Sequence, residues 1–265
     1  MSDMLADKLS GLVYVLILIV SFVLFFFGYV IYTVKQNKYS KDRSFTANLI
    51  LFILSLVGLL VIPSIISLFL RFKNVLFSTI IADFIYIGIL YLMYRRDLNE
   101  EAKIYFKDFK NNFKYSFKIY ILGYMAMIFF NLIIYMVLKD ISSNETQVRE
   151  MLYNNTFLTM INIVLIAPIS EEIIFRKSLR PIFNNRWLYV IVSGLLFGGA
   201  HILTNIINNA FTISDLLYVL PYGCLGASFA LMDYNSKTTF SSMVIHCLHN
   251  TITAILLLIT YFGGK

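Results

Sequence analysis

Three short motifs set polar side chains inside otherwise apolar stretches: Glu171-Glu172-x-x-x-Arg176, Phe197-x-x-x-His201 and His246-x-x-x-Asn250. Carboxylates, imidazoles and a primary amide are the groups that draw a proton from water and hold a developing oxyanion. Lipid makes each of them costly, so an intramembrane set of them reads as a site, and its chemistry as hydrolysis within the bilayer. Residues four apart on a helix share a face, whereas neighbours diverge by about 100°. Glu172 can therefore pair with Arg176 along one face, while Glu171 points elsewhere and is free to polarise a water. His246 and Asn250 share a face in the same way. The plainer reading is an ion pair at a helix end plus two unrelated interhelical histidines. Three separate motifs favour convergence on one site. Pro168, just upstream of the glutamates, can kink their helix and free carbonyl groups, which lipid forbids unless the backbone lines a cavity. Gly198 and Gly199 beside His201 allow a close approach of another backbone or a substrate.

The elements that must position these groups are membrane helices. Apolar residues make up 59% of the 265 and charged residues only 14%, a balance too greasy for a soluble domain of this length. Eight apolar runs approach the length that spans about 30 Å of hydrocarbon: near 11–33, 47–70, 75–94, 119–138, 155–175, 187–205, 214–232 and 240–262. The expected fold is an all-α, polytopic membrane helix bundle, with no strand or soluble domain left over. The first run has no small-residue cleavage site and reads as a retained helix. Residues 1–150 are expected to supply helices 1–4, and residues 151–265 the catalytic core. Cys224 and Cys247 lie in apolar helices and suggest no disulfide framework. Cys247 adjoins His246, and helical neighbours diverge too far to form a nucleophile–base pair.

A net charge of +7 could suggest nucleic acid, but its distribution points to a membrane. Alternate connections, at 34–46, 95–118, 176–186 and 232–239, hold 16 Lys and Arg, against 6 on the other side (Lys8, Arg71, Lys73, Lys139, Arg149 and Lys265). That asymmetry places the first set in the cytoplasm and both termini outside. The stretch 95–118 alternates Lys with Tyr and Phe and is expected to be a basic amphipathic cytoplasmic element against anionic headgroups. Glu171 shortly precedes Arg176–Arg186, so the site is expected to open toward the cytoplasm. The expected localisation is a cell membrane, multi-pass.

The ordered motifs resemble those of the CAAX protease and bacteriocin-processing (CPBP, or Abi) family of intramembrane endopeptidases. The resemblance covers about residues 155–262, and the first four helices carry no motif of it. It implies that Glu171 is the water-activating base, that Glu172 and Arg176 support it, and that His201, His246 and Asn250 polarise the scissile carbonyl and hold the oxyanion. Phe197 would pack rather than react. Lys177 stands where many similar bacterial proteins have Gly, which predicts different packing below the site. His249 and Asp83 are read as interhelical polar partners. There is no His-Glu-x-x-His helix. Zinc could be held by Glu171, His201 and His246, leaving Glu172 as a separate base although Arg176 already claims it. A mechanism with no obligatory metal is therefore preferred. The expected function is endopeptidase action on a peptide or membrane-tethered protein, with no nucleic-acid partner. The alternative is a non-catalytic membrane scaffold or bacteriocin-immunity protein using the same cavity. A transporter would be expected to show matching halves with paired broken helices, and none is visible.

Overall fold

A computed structural model describes the backbone of residues 2–70, 72–207 and 210–263. Arg71, Lys265 and the side chain of Lys8, three of the charges on the sparse side, lie outside the described residues. Among the described residues eight helices are long and apolar enough to cross a membrane, as a backbone in lipid requires when it must satisfy its own hydrogen bonds. They are α1 (Ser2–Gln36, apolar from Val13), α2 (Phe45–Leu70), α3 (Val75–Lys107), α4 (Phe109–Leu138), α6 (Thr156–Ile182), α7 (Arg186–Ile207), α8 (Ile213–Ser236) and α9 (Phe240–Gly263). Between α4 and α6 lies α5 (Ser143–Asn154), a short polar helix that was not expected. It begins where the Ser142 hydroxyl accepts a hydrogen bond from the Glu145 amide, an N-cap.

The basic stretch 95–118 forms no element of its own. α3 runs unbroken to Lys107, and α4 begins at Phe109 after a single non-helical residue, Asp108. What matters in this stretch is acidic and faces inward. Asp97 and Glu101 are buried, and Lys177 reaches across from α6 to lie 2.5 Å from Glu101 and 3.5 Å from Asp97. Arg180 joins Glu101 (2.8 Å) to Asp233 of α8 (3.2 Å), and Asp233 accepts from the Tyr189 and Thr239 hydroxyls. The Thr239 amide donates to the second Glu101 oxygen, and Ser40 donates to Asp97 from its amide and hydroxyl. Lys177, the position where Gly was the alternative, is thus a buried cross-bundle cation. The network ties together the bundle end that carries the basic connections.

The other distinctive element is α6, which is not a regular α-helix. α-Helical turns at Thr156–Ile161 and Ala167–Glu172 alternate with π-helical turns at Asn162–Ile166 and Ile173–Ser178. In the first π turn the Ala167 amide donates to the Asn162 carbonyl, five residues back. The next residue is Pro168, which has no N–H, so the carbonyl five before it, Ile163, has no helical partner. The Asn250 amide of α9 donates to that carbonyl at 2.7 Å. Asn162 in turn donates to Asp83 of α3 at 3.3 Å, which gives that acid the cross-bundle partner expected of it. The break caused by Pro168 is therefore splinted from two sides. Glycines allow the next layer to close: a Cβ on Gly198 would sit 2.5 Å from the Val219 carbonyl, and one on Gly194 2.7 Å from that of Gly223. Gly199 has open space beside it, so only its neighbour bears out the expected close approach.

Two outcomes follow for stability in detergent. Glu101→Gln leaves Lys177 and Arg180 short of a buried counter-charge and should lower stability by about 3–5 kcal/mol, read as a depressed thermal unfolding midpoint. An unchanged midpoint would show that the network contributes nothing. Asn250→Ala leaves the Ile163 carbonyl unpaired and should cost about 1–3 kcal/mol. Pro168→Ala restores an N–H to α6, so the double variant should recover at least ~0.5 kcal/mol relative to the sum of the single changes. Strict additivity would separate Asn250 from the break.

Candidate functional site

The i, i+4 spacing on α6 sets the base of the site. Glu172 and Arg176 are both fully buried, with Oε2 and Nε 3.2 Å apart. This is a contact of charges in good proximity; the aligned hydrogen bonds of the guanidinium and the carboxylate go elsewhere. Arg176 Nη2 donates to the Gly226 carbonyl of α8 at 2.9 Å, and the guanidinium lies over the rings of Phe197 (4.7 Å) and Phe229 (5.4 Å). Phe197 is thus a packing residue, as expected, and its carbonyl also has a partner in the site.

The other Glu172 oxygen faces α9. Oε1 lies 2.9 Å from His246 Nδ1. A carboxylate paired with arginine is acceptor-only, so Nδ1 carries the proton and donates. Glu172 therefore holds Arg176 and His246 together, a pairing across two helices that spacing within one helix could not reveal. His246 is itself buried, and its Nε2 lies 3.8 Å from Glu171 Oε2. Glu171 is 22% exposed, against none for Glu172, and it faces a cavity. Adjacent carboxylates on one helix turn are sorted by direction, one bound into the protein and one presented to open space.

His201 enters from α7. Its Nδ1 is 2.8 Å from the Phe197 carbonyl one turn back; the carbonyl can only accept, so the proton is on Nδ1 and Nε2 is left over. The opposite face of the imidazole is covered by Tyr222 of α8, stacked at 4.3 Å and 19°. The Tyr222 hydroxyl meets Ser142 Oγ at 2.8 Å and accepts from Asn144 Nδ2 at 3.3 Å. Tyr222 thus links His201 to the start of α5. Sequence reasoning missed it; the one available signal was a polar-tipped ring between Pro221 and Gly223 in an apolar run.

Glu171, His201, His246 and Asn250 all line one cavity of about 680 Å³, together with Phe197, Tyr222 and residues of α4, α5, α6 and α9. Glu172 and Arg176 lie directly beneath it. All six motif residues are therefore brought together. His249 also reaches the cavity wall, but its Nδ1 is engaged with the Tyr120 hydroxyl at 3.1 Å, the interhelical bond expected of it. Cys247 is a free thiol and is not among the lining residues. The cavity extends from Glu171 toward Asn144, Glu145 and Arg149 of α5 and toward Thr260 near the end of α9. That is the end of the bundle away from the connections that hold Arg180 and Arg186. Arg176 and Lys177 are fully buried in the floor, and the Glu101–Arg180–Asp233 network lies below them.

Comparison with known proteins shows a likeness confined to part of the chain. Residues 153–252, which include every motif residue, match the family model described as type II CAAX prenyl endopeptidase Rce1-like. The UPF0177 protein YbdI of Lactococcus lactis is 28% identical over 159 residues, covering 57% of this chain and 82% of that protein. A protein described as uncharacterized from Mycoplasma capricolum is 32% identical over 106 residues, covering 40% of this chain and 29% of that protein, so under a third of its length is spanned. No solved structure matches the chain. With its three motifs convergent in a bundle of eight apolar helices, the chain is similar, through residues 153–252, to the type II CAAX prenyl endopeptidase Rce1-like family.

Proposed function

We propose that this chain is an endopeptidase that hydrolyses a peptide or membrane-tethered protein with a water activated by Glu171. The observation that carries the reading is the division between the two glutamates: Glu172 is buried against Arg176 and His246, whereas Glu171 stands partly exposed in the cavity between two histidines. Glu171 takes a proton from water while the free Nε2 of His201 accepts the water's other hydrogen and orients it. Hydroxide adds to the scissile carbonyl carbon, and the carbonyl oxygen becomes the oxyanion. In its imidazolium form, with Nδ1–H donated to Glu172 and a second proton on Nε2, His246 donates its Nε2–H to that oxygen. The second N–H of Asn250, the one not given to Ile163, is available beside it. Collapse breaks the C–N bond, and the proton held by Glu171 passes to the leaving amine. His201 thus aids the water rather than the oxyanion, a refinement of the role that the resemblance implies.

The same geometry supports a mechanism without an obligatory metal. Among the described residues no three His, Cys, Asp or Glu side chains are placed to hold a metal ion, Glu171, His201 and His246 included. A zinc on those three would also need a separate carboxylate as base. Glu172, the adjacent carboxylate, is held by two partners.

Glu171→Gln, His201→Ala and His246→Ala should each lower cleavage by at least about 10²-fold while the protein still accumulates in the membrane. Membrane peptidomes from cells carrying the native chain and each variant provide the comparison. Peptidomes that do not differ between the native chain and Glu171→Gln would favour a non-catalytic scaffold. Glu172→Gln should lower abundance together with activity, because it strands Arg176 in a dry site. A stable and fully inactive Glu172→Gln would reverse the roles of the two glutamates. Purified protein should keep most of its activity after prolonged treatment with a strong chelator. Inactivation reversed by stoichiometric zinc, with the zinc lost in His201→Ala, would overturn the metal-free mechanism.

A further inference from the structure

We infer that the segment to be cleaved enters from the extracytoplasmic face of the membrane, as a single extended, largely apolar stretch that passes under α5. The inference rests on the protease reading for what happens at Glu171, but its geometry stands apart from catalysis. Spanning helices alternate in direction, so the connections around residues 37–44, 108, 183–185 and 237–239 share one end of the bundle. Those at 139–155 and 210–212 share the other. The first end carries the 16 Lys and Arg, and the excess persists when the buried Arg176 and Lys177 are set aside. Lys and Arg in short connections mark the cytoplasmic side. α5 is therefore outside, and so is the cavity mouth that it forms.

The cytoplasmic end is shut. Lys177, Glu101 and Asp233 are buried and joined through Arg180, and the amide of Thr239 closes on Glu101. A chain entering from that end would have to break this network, whereas from the α5 end the cavity is already open. Glu171 lies 15 residues along α6 from Thr156, a depth of roughly 22 Å at about 1.5 Å per residue. An extended chain covers that depth in about six residues at roughly 3.3–3.6 Å each. A cavity of about 680 Å³ is of small-ligand size and suits one strand rather than a folded domain. Its walls are largely apolar, with Met127, Leu225 and Leu257 interrupted by Asn131, Asn162 and Thr253, and the Glu145–Arg149 pair and Asn144 stand at the rim. The fitting substrate has apolar residues beside the scissile bond and polar ones about six positions away, on a polypeptide exposed at the outer surface.

The test is accessibility in the full chain, which needs no substrate. In a background with Cys224→Ser and Cys247→Ser, Thr253→Cys probes the cavity wall, Arg149→Cys its rim and Asn184→Cys the opposite connection. A membrane-impermeant methanethiosulfonate is added to intact cells and, separately, to inside-out vesicles. Thr253→Cys and Arg149→Cys should label in intact cells at least tenfold faster than Asn184→Cys, and the order should invert in vesicles. Labelling of Asn184→Cys from outside, or of the other two only in vesicles, would overturn the sidedness. An Arg149→Cys that labels from outside while Thr253→Cys labels from neither face would overturn the open cavity. Because labelling does not depend on turnover, this inference can fail while Glu171 remains essential, and it can hold if cleavage is absent.

Discussion

The site depends on one carboxylate with two obligations. Glu172 is fully buried, and its oxygens face Arg176 on its own helix and His246 on α9. Stranding a buried charge costs about 3–5 kcal/mol, so neither partner can leave without penalty, and α6 and α9 are held at a fixed spacing. That constraint fixes the His246 ring, leaves Nε2 toward the cavity, and turns Glu171, one residue earlier, into the carboxylate that can meet water. The adjacent pair of glutamates is chemically identical in sequence and divided in role by direction alone.

The irregular backbone serves the same end. Pro168 would be a defect in lipid, yet the π turns of α6 move the unpaired carbonyl to Ile163, where Asn250 meets it. A motif residue expected to serve the reaction also holds together the helix that carries the base, so its loss would disturb both. Tyr222 extends the pattern outward: one face of its ring covers His201, and its hydroxyl fastens α8 to the start of α5. The groups that handle substrate are thereby tied to the polar helix that rims the entrance.

Much of this was legible in the sequence, because it depends on local periodicity. Apolar run lengths gave the eight spans, and the i, i+4 rule gave the Glu172–Arg176 pair and the outward turn of Glu171. His249 and Asp83 found the interhelical partners their burial demanded, Tyr120 and Asn162. What local pattern could not supply was anything set by packing between distant helices. The Glu172–His246 bond spans 74 residues, and the Lys177–Glu101 contact spans 76. The stretch 95–118 looked basic because its lysines dominate the count, whereas its structural work is done by two acids facing inward. Where the hollow lies relative to Glu171 was illegible for a related reason. Nearness of Glu171 to Arg176–Arg186 along the chain says nothing about which side of the glutamate is hollow, and Arg176 and Lys177 prove to be floor rather than mouth.

The sharing of Glu172 can be tested directly, because the chain has only three histidines. Nitrogen-15 spectra of histidine-labelled protein in detergent, assigned by removing His201, His246 and His249 in turn, report which ring nitrogen of each carries a proton. The expected result is a protonated, hydrogen-bonded Nδ1 on His246 whose signal shifts strongly in Glu172→Gln and only slightly in Glu171→Gln. An unprotonated Nδ1 on His246, or a signal that answers to Glu171 and ignores Glu172, would contradict the arrangement on which the site is built.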